Sequence, residues 1–294
     1  MTTKDARQPI LAICYDFDKT LSPDNMQAQG YLQEIQYEDQ NEFWDEVGEL
    51  AQKNEMDSDL AWMYKLIKDS RGKLIPTRQK LEEYGASIEL NPGVEEWFAR
   101  INAYGKEMGV TVEHYIISSG IREMIDGTKP AKEGFFTKIY ASSFLYDADG
   151  VAVWPAQVVN YTNKTQYLFR ISKGVLDVTD RGVNNKFKFS EMRVPFQNVV
   201  YIGDSETDVP CMKLVNSYGG HAIGVYDAKS KDKSKVLQML KDNRIKYFAP
   251  ADYRPDSELD CLIKTIIRKT REDHSLFDIH FNCSEELAEL AELV

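Results

Sequence analysis

The chain has 294 residues, 43% of them hydrophobic and 28% charged, enough to bury a sizeable core in one large domain with an insertion, or in two. A formal net charge of -11 at pH 7 repels phosphate backbones and anionic headgroups, so neither nucleic acid nor a membrane is expected as the main partner. MTTKDARQPILAI has no secretory pattern, no window nears the roughly 20 apolar residues of a membrane span, and Cys14, Cys211, Cys261 and Cys283 form no CxxC pair, so a reducing, cytoplasmic setting is expected.

Residues 10–15 (ILAICY) form an apolar run cut off at Asp16, which predicts a buried parallel strand. From about 24 to 92 no strand pattern stands out. Helical spacings at 41–50 and 58–67, with Trp44 and Trp62 on their apolar faces, predict a helical insertion directly after that strand. Val110–Ile117 predicts a second strand, ending at Ser118. Residues 135–159 predict a hairpin about the turn DADG. A helix is expected over 165–174, a third strand over 198–202 ending at Gly203, a helix over 207–215 and a fourth strand over 222–226. Helices over 230–240 and 257–268 follow, the second with Leu259, Leu262, Ile263 and Ile266 on one face. The last dozen residues, CSEELAELAELV, predict a short amphipathic helix with Leu287, Leu290 and Val294 on one side. Strands alternating with helices indicate an α/β domain with a parallel sheet.

Ligands of a parallel sheet bind outside the carboxyl ends of its strands. Asp16 and Asp18 follow the first expected strand, Ser118 the second and Asp204 the third, while Lys164 opens a helix. These residues supply two carboxylates for a cation, a hydroxyl and a lysine for an anion, and one carboxylate free to act as nucleophile. That inventory suits metal-assisted phosphoryl transfer. In Gly203-Asp204-Ser205-Glu206-Thr207-Asp208, glycine permits close backbone approach, and Asp208 also suits the positive end of a helix dipole. The four histidines show no metal-ligand spacing.

In this order, DFDKT after ILAICY, IISSG, Lys164 and GDSETD resemble the four motifs of the haloacid dehalogenase superfamily of phosphatases, in its phosphoserine phosphatase-like branch. The resemblance implies a Rossmann-like, doubly wound parallel sheet core over 1–22 and 93–272. It implies a mostly helical C1 cap over 23–92 and a small β-hairpin flap; the amphipathic pattern of the last residues adds a C-terminal helical tail over 273–294. It makes Asp16 the nucleophile, forming an aspartyl-phosphate, and Asp18 the acid and then the base. Mg²⁺ would be held by the Asp16 carboxylate, the Asp18 carbonyl and Asp204, with Asp208 supporting its water shell. Ser118, with Ser119 as alternative, and Thr20 would bind the phosphoryl group. Lys164 would neutralise its charge, with Lys173 and Lys186 as alternatives. Asp18 argues against a true dehalogenase, which generally lacks the second acid. The activity implied is hydrolysis of a small soluble phosphate monoester. A phosphotransferase or phosphomutase, or a non-catalytic phosphate-binding domain, are the other readings. Asp24, Asn25, Met26 and Arg71 are candidates for contacting the leaving group, with turn, core or surface roles as the alternative reading of each.

Overall fold

The computed structural model describes residues 8–188, 191–230 and 232–292, with side chains described through residue 283. Strand β1 (Ile10–Tyr15) opens the chain and lies at the centre of a seven-stranded sheet. The helices α1 (Tyr31–Glu34), α2 (Gln40–Asn54), α3 (Ser58–Ser70) and α4 (Arg78–Ser87) are inserted before α5 (Val94–Glu107) and β2 (Thr111–Ile121). Two short helices, α6 (Arg122–Gly127) and α7 (Lys129–Lys132), lead to the hairpin β3 (Phe136–Tyr146) and β4 (Ala152–Gln157). The chain closes with α8 (Lys164–Lys173), β5 (Val199–Gly203), α9 (Val209–Ser217), β6 (His221–Tyr226), α10 (Ser234–Lys241), β7 (Tyr247–Pro250) and α11 (Glu258–Glu292).

The sheet order is β4-β3-β2-β1-β5-β6-β7, and every pairing is parallel except that of β3 with β4. Side chains alternate across β1, so Leu11, Ile13 and Tyr15 join one core and Ala12 and Cys14 the other. The first core reaches α5, α11 and the inserted helices; the second is covered by α8, α9 and α10. A sheet covered on both faces explains why its central strands read as unbroken apolar runs. This is the Rossmann-like α/β architecture expected from the sequence.

Three of the inserted helices, α2, α3 and α4, start at side-chain caps, which satisfy backbone N–H groups that have no partner within the helix. Asp39 accepts from Asn41 N before α2, Asp57 from Asp59 N and Leu60 N before α3, and Thr77 from Lys80 N before α4. Phe43 and Val47 of α2, with Trp62 and Leu66 of α3, then bury one face against the body. Each such side chain contributes about 1.5–3 kcal/mol, so the insertion is bound by packing. The hairpin is tied to it as well, since Ala152 N donates to Pro76 O at 2.9 Å. Helix α11 runs unbroken through 35 residues. The short C-terminal helix expected over the last dozen residues is therefore the far end of this one. The side chains of Leu287, Leu290 and Val294 lie outside the described residues. Among the described residues no helix is long and apolar enough to cross a membrane.

Candidate active site

Strand register brings the site together. Tyr15, the last residue of β1, pairs with Ile116 of β2 and with Ile202 of β5. Asp16 follows directly, and Ser118 and Asp204 each lie two residues past those partners, so all three emerge at the same edge. Asp16 N donates to Ile202 O at 2.9 Å, which fixes the chain as it leaves the sheet. Strand β2 does not stop at Ser118 but continues to Ile121, with a shift in its pairing to β3 between Ser118 and Ile121.

Lys164 is completely buried at the start of α8. Its ammonium lies 2.8 Å from Asp208 Oδ1 and 3.3 Å from Asp16 Oδ1. Burial works against the lysine's charge, but Asp16 and Asp208 outweigh it and hold its pKa above the ordinary range. Of the alternatives, Lys173 is engaged elsewhere, donating to Val183 O and Asn185 O, and Lys186 is exposed.

Asp208 is also fully buried, and both its oxygens are occupied. Oδ1 accepts from Lys164 and, at 2.8 Å, from the Tyr201 hydroxyl; Oδ2 accepts from Ser205 N and Oγ. A Cβ on Gly203 would lie 2.5 Å from Asp208 Oδ2, so only glycine lets the carboxylate fold back against the strand end. Oxygens of Asp16, Asp204 and Asp208 lie within 4.8 Å of one another, hard donors of the kind that hold Mg²⁺ or Ca²⁺. The crowding has an electrostatic signature. Burial and then Asp208 push the Asp16 carboxyl well above its usual range against the pull of Lys164, while burial and Asp208 raise Asp204 to about 6. A cation among them would relieve that repulsion, so the residues present fit one.

Asp18 is turned toward the insertion, and its Oδ1 accepts from Met26 N at 2.8 Å. Burial raises it to about 7 against that hydrogen bond. Ser118 Oγ accepts from Gly120 N at 3.0 Å, whereas Ser119 Oγ is buried without a partner. Both serines line the cleft. Thr20 Oγ1 is also buried without a partner, and Thr20 is not among the residues that line the cleft.

Asp16, Asp18, Ser118, Ser119, Lys164 and Asp204 share a cleft of about 510 Å³, roofed by the insertion. Asn25 lines it; Asp24 instead holds the loop through Asn25 N, and Met26 is buried against Gly120 and Ile121. Arg71 lies in a separate cavity with Ile75, Pro76 and Val153, so the structure does not bring it to the acids. Tyr201, which supports Asp208, gave no signal of its own in the sequence, because an aromatic in an apolar strand reads as core. Nor did Asp59 and Gln27, which reach the cleft only through the packing of the insertion.

No family model matches the sequence. An uncharacterized protein of Borreliella burgdorferi is 26% identical over 281 residues, covering 86% of this chain and 95% of its own length. A HAD family hydrolase from Salmonella enterica serovar Typhi superposes with a TM-score of 0.58 at 16% identity, covering 87% of this chain and 70% of its own. A phosphoserine phosphatase captured as an analogue of its phospho-aspartyl intermediate gives 0.52 at 15% identity, covering 87% and 99%. The chain therefore has the haloacid dehalogenase fold, as its motifs implied.

Proposed function

We propose that the protein is a HAD-type phosphohydrolase that cleaves small phosphate monoesters through an aspartyl-phosphate on Asp16. The observation that carries this reading is the convergence of Asp16, Asp204 and Asp208 around the buried Lys164 at the carboxyl edge of the sheet. The solved phospho-aspartyl analogue of a protein with this fold supports the same chemistry.

An anionic nucleophile approaches an anionic phosphate only where positive charge screens the repulsion. Lys164 supplies one fixed charge beside Asp16. A Mg²⁺ held by the Asp16 and Asp204 carboxylates and the Asp18 carbonyl would supply the rest, neutralising the transferring phosphoryl oxygens. The Asp16 carboxylate attacks phosphorus as the bond to the leaving oxygen breaks. Asp18, anchored by Met26 N, gives that oxygen its proton. It then takes a proton from a water that attacks the acyl phosphate, releasing inorganic phosphate and restoring Asp16. The Ser118 or Ser119 hydroxyl binds a phosphoryl oxygen. The helices between β1 and β2 act as the cap, and the protein works on a soluble substrate in the cytoplasm.

The test is hydrolysis of p-nitrophenyl phosphate by wild type and Asp16→Asn, with Mg²⁺ and with EDTA. Metal-dependent turnover that falls at least about a thousandfold in the folded variant is expected. Undiminished turnover by Asp16→Asn would remove Asp16 as the nucleophile.

A further inference from the structure

The lysines that line the cleft all come from the core side, whereas the insertion adds an acid. Lys164 lies among the core acids, Lys235, 3.5 Å from Asp204, also stays on the core side, and Lys19 belongs to the loop that carries Asp16 and Asp18. The insertion contributes Asn25, Gln27, Trp44, Val47, Asp59 and Trp62 among its lining residues, and Asp59 is the only ionisable one it supplies. Among the described residues no arginine lines the cleft. A leaving group bearing a second anion would meet a carboxylate there and no cation from the insertion.

Asp59 is held for use. The Trp62 indole donates to its Oδ1 at 3.0 Å, and the carboxylate lies near enough to the site to feel Lys164. Burial raises its pKa to about 6 against the Trp62 hydrogen bond, so at neutral pH it remains largely an anion in a poorly solvated place. Gln27 is only 3% exposed and also lines the cleft, yet its Oε1 has no hydrogen-bond partner. A buried acceptor of this kind is costly until a donor arrives. An indole wall, an anion and an unfilled carbonyl together suit a cationic N–H or N–CH₃ group.

We infer that the cleft selects phosphate monoesters whose alcohol carries an ammonium group, with Asp59 as the residue that reads the cation. The inference rests on the phosphohydrolase reading above and names its substrate class. A purely structural role for Asp59, as an acid in the first turn of α3, would leave substrate preference unmoved.

The experiment compares kcat/KM of the full chain with Mg²⁺ for 2-aminoethyl phosphate, phosphocholine, ethyl phosphate and 2-phosphoglycolate, with p-nitrophenyl phosphate as the reference. One or both ammonium esters should exceed ethyl phosphate by about tenfold or more, and 2-phosphoglycolate should fall below it. Asp59→Asn should lower the ratio of ammonium ester to ethyl phosphate about ten- to a hundredfold, and Asp59→Lys should reverse the preference toward 2-phosphoglycolate. Should either variant not fold, the wild-type ranking decides alone. Turnover of p-nitrophenyl phosphate without preference among the four esters, or an unchanged ratio in folded Asp59→Asn, overturns the inference and leaves the phosphohydrolase standing. No turnover of p-nitrophenyl phosphate or of any ester by wild type overturns both.

Discussion

Lys164 is bound more closely by Asp208, at 2.8 Å, than by Asp16, at 3.3 Å. Because Tyr201 and Ser205 fill the remaining capacity of Asp208, the lysine is anchored from behind and presented to Asp16. Asp208→Asn keeps the shape but removes one of the two charges that hold the ammonium in the core. Its kcat is expected to fall about ten- to a hundredfold with KM little changed, since the residue positions a charge and does not touch substrate. Stability should drop by about 2–4 kcal/mol, because a buried ion pair loses a partner. Steady-state kinetics and urea denaturation of the same preparation check both.

The three clustered carboxylates make metal affinity measurable without turnover. Mg²⁺ should raise the thermal midpoint of wild type, since a ligand that binds the folded chain stabilises it by mass action. Asp204→Ala should bind Mg²⁺ at least about tenfold more weakly by calorimetry and lose most of the thermal shift. An equal shift in the variant would place the cation elsewhere.

Local chemistry explains which features were legible in the sequence. Strand β1 matches its expected bounds, because a continuous apolar run stopped by two acids has few other readings. Strand β2 runs four residues past its expected end: Ser118-Ser119-Gly120 is turn chemistry by composition, yet pairing with β3 at Ser118 and again at Ile121 carries the strand through it. Strand β7 is four residues ending in proline, too short to carry a period, and is defined by its pairing with β6. In α5, Val94, Trp97, Phe98 and Ile101 stand at helical spacing and are all buried, so that helix was there to be read. Helix α4 buries little beyond Leu81 and Gly85 and left almost no stripe. In the site, the acids were legible because they follow the ends of two apolar strands, β1 and β5. Tyr201, Gln27 and Asp59 were not, because only tertiary packing brings them to it.

His114 makes stability depend on pH. It is buried on β2, with Nδ1 3.0 Å from the Tyr15 hydroxyl and Nε2 3.0 Å from Asn102 Oδ1. Asn102 Oδ1 can only accept, so Nε2–H donates to it, and Nδ1 of the neutral ring accepts from the Tyr15 hydroxyl, whose oxygen accepts from Trp97 at 2.8 Å. The ring is thus used neutral, and burial lowers its pKa from 6.5 to about 3. The unfolded chain binds this proton near pH 6.5 and the folded chain only near 3. The histidine's contribution is therefore complete above pH 6.5 and is lost as pH falls toward 3, by up to about 1.4 kcal/mol per pH unit. Urea midpoints of wild type and His114→Gln at pH 7 and 5 isolate it: the variant should be less stable at pH 7 and lose less on acidification.

Two helical glycines in the insertion should respond in opposite directions to the same substitution. A Cβ on Gly85 of α4 would lie 1.9 Å from the Met124 carbonyl oxygen of α6, and both groups belong to the backbone. No rotamer change relieves that contact, so the two helices must separate. Gly48 of α2 has nothing within 4 Å of its Cβ position. Alanine is favoured over glycine in a helix interior by about 1 kcal/mol, so Gly48→Ala should stabilise the protein by about that amount. Gly85→Ala starts from the same gain but should end about 1–3 kcal/mol less stable, because the clash exceeds it. Urea denaturation of the two variants beside wild type gives both signs. A stabilised Gly85→Ala would mean that α4 can lift from α6 at little cost and is not fixed to the core by this crossing.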